Sequence, residues 1–316
     1  MNLGYACINM TLSDVPKSKR VMTNRSMIRR TFQEKGLSYA SELALQNIKD
    51  LITILQWNEQ NGIKFYRMSS DIFPWMSEYR ISDLPDYNDI AYYLDVAGEY
   101  AYMTKQRLTF HPGPFNVLGS PNEKVVEKTI KELNSHSEIF DLMGFIQPSP
   151  YNKINIHVGG TYGGDFTGTA ERWCNNYWKL DENCQKRLTL ENDDKASMWS
   201  TRHLYDHIHT KTGVPIVFDY HHHRFCTGNQ SEEEALKLAL STWPEDIVPV
   251  VHVSESRAIE YRDAKIRPQA HSDFVLNSVE SYGQEYDIML ECKKKELALL
   301  KYREKHLSNS PPPPVS

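Results

Sequence analysis

The chain has 316 residues, 40% of them apolar and 24% charged, with a net charge of −5. Those proportions are ordinary for a soluble globular protein with a substantial core, in one large domain or two small ones. No window of about 18 apolar residues occurs, which excludes a hydrophobic membrane-spanning helix. The opening MNLGYACINM has neither the basic flank nor the long apolar run of a signal peptide, so the expected location is intracellular. Five scattered cysteines without a CxxC pair argue against a disulfide framework and a thiolate zinc knuckle.

Taken in chain order, the first apolar run is LGYACI at 3–8. A basic segment follows directly: between Val15 and Gln33 stand Lys17, Lys19, Arg20, Arg25, Arg29 and Arg30, with no acidic residue. A local field of that kind can bind phosphates although the whole surface is acidic. Helical periodicity then fills 40–62, closed by a glycine. FYRMSS (65–70), a helix over 90–105, RLTFHP (107–112) and a helix over 123–140 come next. INIHVG (154–159) leads into VGGTYGGDFTG, which lacks the GK[ST] ending of a phosphate cradle and reads as a flexible active-site loop.

LTLEND (188–193), a helix over 199–213, PIVFDYHH (215–222), a helix over 231–243, PVVHVSE (249–255) and YDIMLEC (286–292) complete the series. Eight strand-like runs alternating with helices in about 300 residues predict an α/β protein, a single-domain (β/α)8 TIM barrel over 1–305. HLSNSPPPPVS (306–316) reads as a disordered, proline-rich tail.

Active sites of such barrels lie at the C-terminal ends of the strands. There the sequence places His111, His157, Glu191, Asp219, His222, His252 and Glu291, with His271 in a loop overhanging the same face. Histidine and carboxylate without cysteine suit manganese, zinc or iron, and so many ligands imply two or three divalent ions bridged by Glu191 and Glu291. Such clusters activate water and stabilise the attacking and leaving oxygens of a phosphodiester hydrolysis. A metal-dependent sugar isomerase on the same barrel is the rival reading. Strand alternation would send His221 and His223 away from His222, making them non-ligands.

The motifs LGYACIN, FYRMSSDIFPW, TFHPGPF, INIHVGGTYGG, LTLEND, FDYHHH, VHVSES and AHSDF, in this order over about residues 1–293, resemble the ultraviolet damage endonuclease family. That resemblance implies a metal-dependent DNA-repair endonuclease that nicks duplex DNA immediately 5′ of cyclobutane pyrimidine dimers and 6-4 photoproducts, leaving a 3′ hydroxyl and a 5′ phosphate. It implies three divalent ions, commonly Mn2+ with Zn2+ or Mg2+ as alternatives, and it makes His111, His157, Glu191, Asp219, His222, His252, His271 and Glu291 the ligands. Glu191, Glu291 and His157 carry catalysis in this reading. Tyr5 and Asn9 match positions that contact the extruded lesion, and Pro114 and Phe115 those that wedge into the duplex.

Three residues depart from the family pattern: Pro114 replaces a glutamine, Val250 replaces a lysine that the family modifies near the metals, and Glu78 stands where a histidine is usual and is the candidate ligand of a third ion. UV-damaged double-stranded DNA is the implied partner, bound by a monomer with the basic segment on its phosphates. Apurinic-site endonuclease activity and a non-catalytic lesion-binding protein remain alternatives.

Overall fold

In the computed structural model of the chain, residues 1–307 are described. The proline-rich run expected to be disordered lies outside them. Eight parallel strands form in the expected places: β1 Leu3–Ala6, β2 Phe65–Arg67, β3 Arg107–Thr109, β4 Ile154–Ile156, β5 Leu188–Glu191, β6 Ile216–Asp219, β7 Val250–Val253 and β8 Asp287–Leu290. Their order, β3-β2-β1-β8-β7-β6-β5-β4, closes through a parallel bridge between Phe110 and Ile154. Phe110 N donates to Lys153 O at 2.9 Å, and Asn155 N donates to Phe110 O at 2.9 Å.

The two-residue period of a strand sorts the side chains. Leu108, Ile154, Ile156, Leu188, Leu190, Ile216, Phe218, Val251, Val253, Ile288 and Leu290 belong to one buried apolar layer with residues of the surrounding helices. Their neighbours face the barrel axis. Phe65, Val217, Val250 and Met289 pack there with Trp243 as a smaller apolar cluster. Below it, Arg107 Nη1 donates to Asp287 Oδ2 at 3.1 Å and to Val248 O at 2.7 Å, and Arg107 Nε donates to Tyr151 O at 2.9 Å. Both side chains are almost wholly buried, so an ion pair closes the N-terminal end of the barrel. The polar residues above the apolar cluster build the site described below.

The helices between strands agree in place with the sequence periodicity and differ in extent. Arg29–Gln60 starts well before the expected 40–62 segment and bends at Gly36, whose φ of 63° and ψ of −155° are not helical. Gly98 of the helix Tyr87–Met103 lies against Met143, which ends the helix Glu123–Leu142. A Cβ on Gly98 would lie 1.8 Å from Met143 O, so only glycine permits that approach. Phe166–Tyr177, Glu182–Arg187 and Lys295–His306 are helices that the sequence reading did not pick out. The first of these takes Phe166, Thr167 and Gly168 out of the glycine-rich loop, because Asp165 caps it by accepting from Gly168 N. His306, expected in the tail, closes the last helix. Among the described residues no helix is long and apolar enough to cross a membrane.

Gly98→Ala should destabilise the fold by about 1–3 kcal/mol, the range of overpacking substitutions. The measurement is a lowered urea midpoint at unchanged slope, and an unchanged midpoint would refute the close approach of Gly98 to Met143 O.

Candidate metal centre

Strand ends deliver the ligand-type side chains to one place. Glu191 ends β5, Asp219 ends β6, His252 stands third in β7, and His157 and Glu291 directly follow β4 and β8. Glu191 has no exposure to solvent. Its Oε2 lies 3.0 Å from His111 Nε2 and 3.0 Å from His252 Nδ1. On its other side, Oε1 lies 3.3 Å from His222 Nδ1 and 3.9 Å from His157 Nε2. Glu291 Oε1 is 3.1 Å from the same His252 Nδ1.

Two groups of ligand atoms result, each with all members within 4.8 Å of one another: His111, Glu191, His252 and Glu291, and His157, Glu191 and His222. Glu191 is common to both. A carboxylate shared in this manner could offer one oxygen to each of two neighbouring cations. The donors are nitrogen and oxygen throughout, which fits divalent manganese, zinc or iron. Glu191 Oε1, Asp219 Oδ2 and His252 Nδ1 are buried without a hydrogen-bond partner, a costly condition that cation ligation would relieve.

The charges are mutually dependent. Burial opposes the charge of Glu191, but the imidazoles of His252 and His157 beside it outweigh that and hold its carboxyl well below the usual range. Burial likewise opposes ionisation of Glu291, and Arg67 and His252 reverse the effect. His157 is raised to about 10 and His222 to about 9, because Glu191 and the nearby aspartates outweigh burial. His111 is lowered to about 4, chiefly by burial. Burial also raises Asp219.

Several supporting residues carry no signal at a strand end. Arg67, on β2, donates to Glu291 through Nη1. Asn155, two residues before His157, donates to Glu191 and accepts from Thr189 Oγ1 at 2.8 Å. Asp193 Oδ1 lies 3.0 Å from His157 Nδ1 and sets that ring. Lys153, inward-facing directly before β4, reaches across the barrel to 3.2 Å from His252 Nε2, and burial brings its amine down to about 7. Val250 belongs to the apolar cluster beneath, and the amine that meets this histidine is that of Lys153. Alternation along KINIH would have identified Lys153 and Asn155 as partners of His157 in facing the axis.

The remaining predicted residues fall elsewhere. His271 Nδ1 is 2.8 Å from Ser254 Oγ, and its ring is 5.8 Å from that of His222; neither it nor Asp219 belongs to the two tight groups. Glu78 lies apart from them, with its carboxylate 2.7 Å from Lys128 Nζ. Residues 220–223 are one helical turn capped by Asp219, which accepts from His222 N at 2.7 Å. The alternation argument for His221 and His223 therefore does not apply. His221 is buried with Nε2 3.1 Å from Gln269 O, and His223 packs against Phe218.

Tyr5 and Asn9, expected at the lesion, are both buried. Gly4 and Ala6 flank Tyr5 on the strand, so its ring points outward, where its hydroxyl donates to Asn58 Oδ1 at 2.7 Å and accepts from Asn9 Nδ2 at 3.0 Å. Asn9 Oδ1 caps the helical turn Met10–Ser13. Phe115 and Pro114 are exposed, Phe115 to 86%. In the basic segment Lys17, Lys19, Arg20, Arg29 and Arg30 are exposed, and Arg30 pairs with Glu34 at 2.8 Å. Arg25 is committed to the fold by its 2.7 Å pair with Asp50.

Fold and site define a (β/α)8 barrel with a carboxylate-bridged pair of candidate cation sites at the C-terminal ends of its strands. The sequence profile of the UV-endonuclease UvdE family matches residues 1–310. A UV DNA damage endonuclease of Bacillus cereus strain Q1 is 31% identical over 314 residues, covering 96% of this chain and 93% of that one. The UV-damage endonuclease of Schizosaccharomyces pombe is 33% identical over 99% of this chain, which spans about half (52%) of that relative's length. The crystal structure of SacUVDE matches with a TM-score of 0.80 at 29% identity, covering 96% of this chain and 98% of that one. A D-tagatose 3-epimerase-like protein, at 12% identity and a TM-score of 0.53, shares the fold over 96% of this chain and 98% of its own. The chain belongs to the UV-damage endonuclease family.

Manganese at about 100 times its dissociation constant should stabilise the protein by roughly 2.7 kcal/mol. Glu191→Gln should abolish that rise, read as a shift in thermal midpoint; equal rises in both proteins would exclude a Glu191-bridged site. Because His157 and His222 hold protons that a cation must displace, the stabilisation should grow from pH 6 to pH 9. A stabilisation flat across that range would contradict ligation by these rings.

Proposed function

We propose that the protein is a metal-dependent endonuclease that incises duplex DNA immediately 5′ of cyclobutane pyrimidine dimers and 6-4 photoproducts, leaving a 3′ hydroxyl and a 5′ phosphate, and that it acts as a monomer. The observation that carries this reading is Glu191, buried and placed between two histidine groups so that each of its oxygens faces one of them. Bound cations, manganese first among them, would polarise the scissile phosphate and activate the attacking water.

The chain's own residues do the rest. His111, His252 and Glu291 would hold one cation, His157 and His222 the other, and Asp219 and His271 extend the site beside His222 towards a third. Asn155 and Asp193 fix the orientation of Glu191 and His157, and Arg67 keeps Glu291 ionised. Glu191, Glu291 and His157 would thus act by holding cations at the phosphate, and no serine or cysteine nucleophile is required. Phe115, exposed beside His111, serves as an apolar wedge where a photoproduct has already weakened stacking, while Pro114 offers no side-chain hydrogen bond to orphaned bases. Lys17, Lys19, Arg20, Arg29 and Arg30 would bind phosphates, which position the duplex without reading its sequence. The ligand-type side chains gathered in two groups around Glu191 favour turnover over recognition alone.

The test is nicking of a labelled duplex carrying one defined photoproduct, with manganese, with chelator and with His157→Ala. A cut directly 5′ of the lesion, dependent on the cation and lost in the variant, is the expected result; no cut with any divalent cation would defeat the proposal. Charge reversal of Arg29 and Arg30 should weaken binding to damaged and undamaged duplex alike and flatten its salt dependence. Unchanged salt dependence would place the duplex elsewhere.

A further inference from the structure

We propose that Tyr162 is a stacking platform for a nucleobase left unpaired when the lesion is extruded, a specificity-determining residue on the loop beside the wedge. This rests on the duplex-DNA reading above.

Tyr162 lies five residues beyond His157, in the loop between β4 and the helix Phe166–Tyr177. Its φ is 45°, a left-handed conformation that an aromatic residue seldom adopts, and Gly159, Gly163 and Gly164 around it also have positive φ. Tyr162 is 43% exposed. Arg172 stands over it, with Cζ 5.5 Å from the ring centroid. That guanidinium is itself fixed: Nε donates to Gly119 O and Nη2 to Thr169 Oγ1, both at 3.0 Å. One face of the ring is therefore held by a cation, and the ring is presented without the entropy that an untethered loop side chain would lose on binding.

The same anchor ties this loop to the one that carries the wedge. Gly119 follows Phe115 in the loop after β3, and Gly159 packs so closely on Val117 that a Cβ there would lie 2.5 Å from Val117 Cγ1. Phe115 and Tyr162 are thus exposed aromatic rings on two interlocked loops, rising beside His111 and His157, whose own rings are 5.4 Å apart. A base stripped of its neighbour by extrusion exposes a π-face, and any base can stack on tyrosine. The phosphate must reach the buried Glu191, whereas Tyr162 stands outside that cluster, which suits a base that stays with the duplex.

The experiment places 2-aminopurine opposite a single cyclobutane dimer and follows its fluorescence on binding of the full chain, with calcium in place of manganese to suppress cutting. Quenching by the wild type and by Tyr162→Phe, lost in Tyr162→Ala together with about ten-fold of the affinity for damaged duplex, is the expected result. With manganese, Tyr162→Ala should raise KM for nicking and leave kcat within a few-fold. Full quenching by Tyr162→Ala, or an affinity loss equal on damaged and undamaged duplex, overturns the stacking role while leaving the endonuclease reading intact. Failure of the wild type to select the damaged duplex removes the reading on which the role depends.

Discussion

A carboxylate withdrawn wholly from water keeps its charge only if its surroundings supply the opposite charge or hydrogen bonds, and in this barrel that carboxylate is Glu191. Four imidazoles converge on its two oxygens. They come from four different strand ends, so the compensation exists only when β3, β4, β6 and β7 are all in register with β5. Folding and the assembly of the site are therefore the same event. An N-terminal fragment lacking β6 and β7 would bury Glu191 without half of its partners.

The barrel interior is stacked by function. An ion pair closes the bottom, an apolar cluster lies above it, and the ligand set occupies the top. Lys153 and Arg67 connect the layers, since each starts from an inward position and ends on a residue of the ligand set. The positive charge of Arg67 beside Glu291 lets carboxylates share a small volume before any cation arrives.

Much of this was legible in the sequence because the strand runs are short, apolar and end in the same residue types. All eight strands and the grouping of His111, His157, Glu191, His222, His252 and Glu291 follow from that regularity. What escaped depended on direction. Tyr5 sits in a short strand where a one-residue difference turns the side chain from the axis to the helices, and the sequence of β1, with a glycine and an alanine on either side, gives little indication of which face is which. The turn at 220–223 broke the alternation because Asp219 caps a helix at the point where the strand stops. Lys153 was missed, because only the three-dimensional placement brings its amine to His252. The helix Phe166–Tyr177 was hidden by the glycines that precede it.

The Arg107–Asp287 plug gives the barrel a floor. With the apolar cluster packed above that floor, the ligand set is approached from the C-terminal face of the barrel. Ions, water and products would share that approach. A long rigid polymer lying across it would cover the site, so whatever ions the site is to use would have to be aboard before the polymer docks, and would leave only after it does.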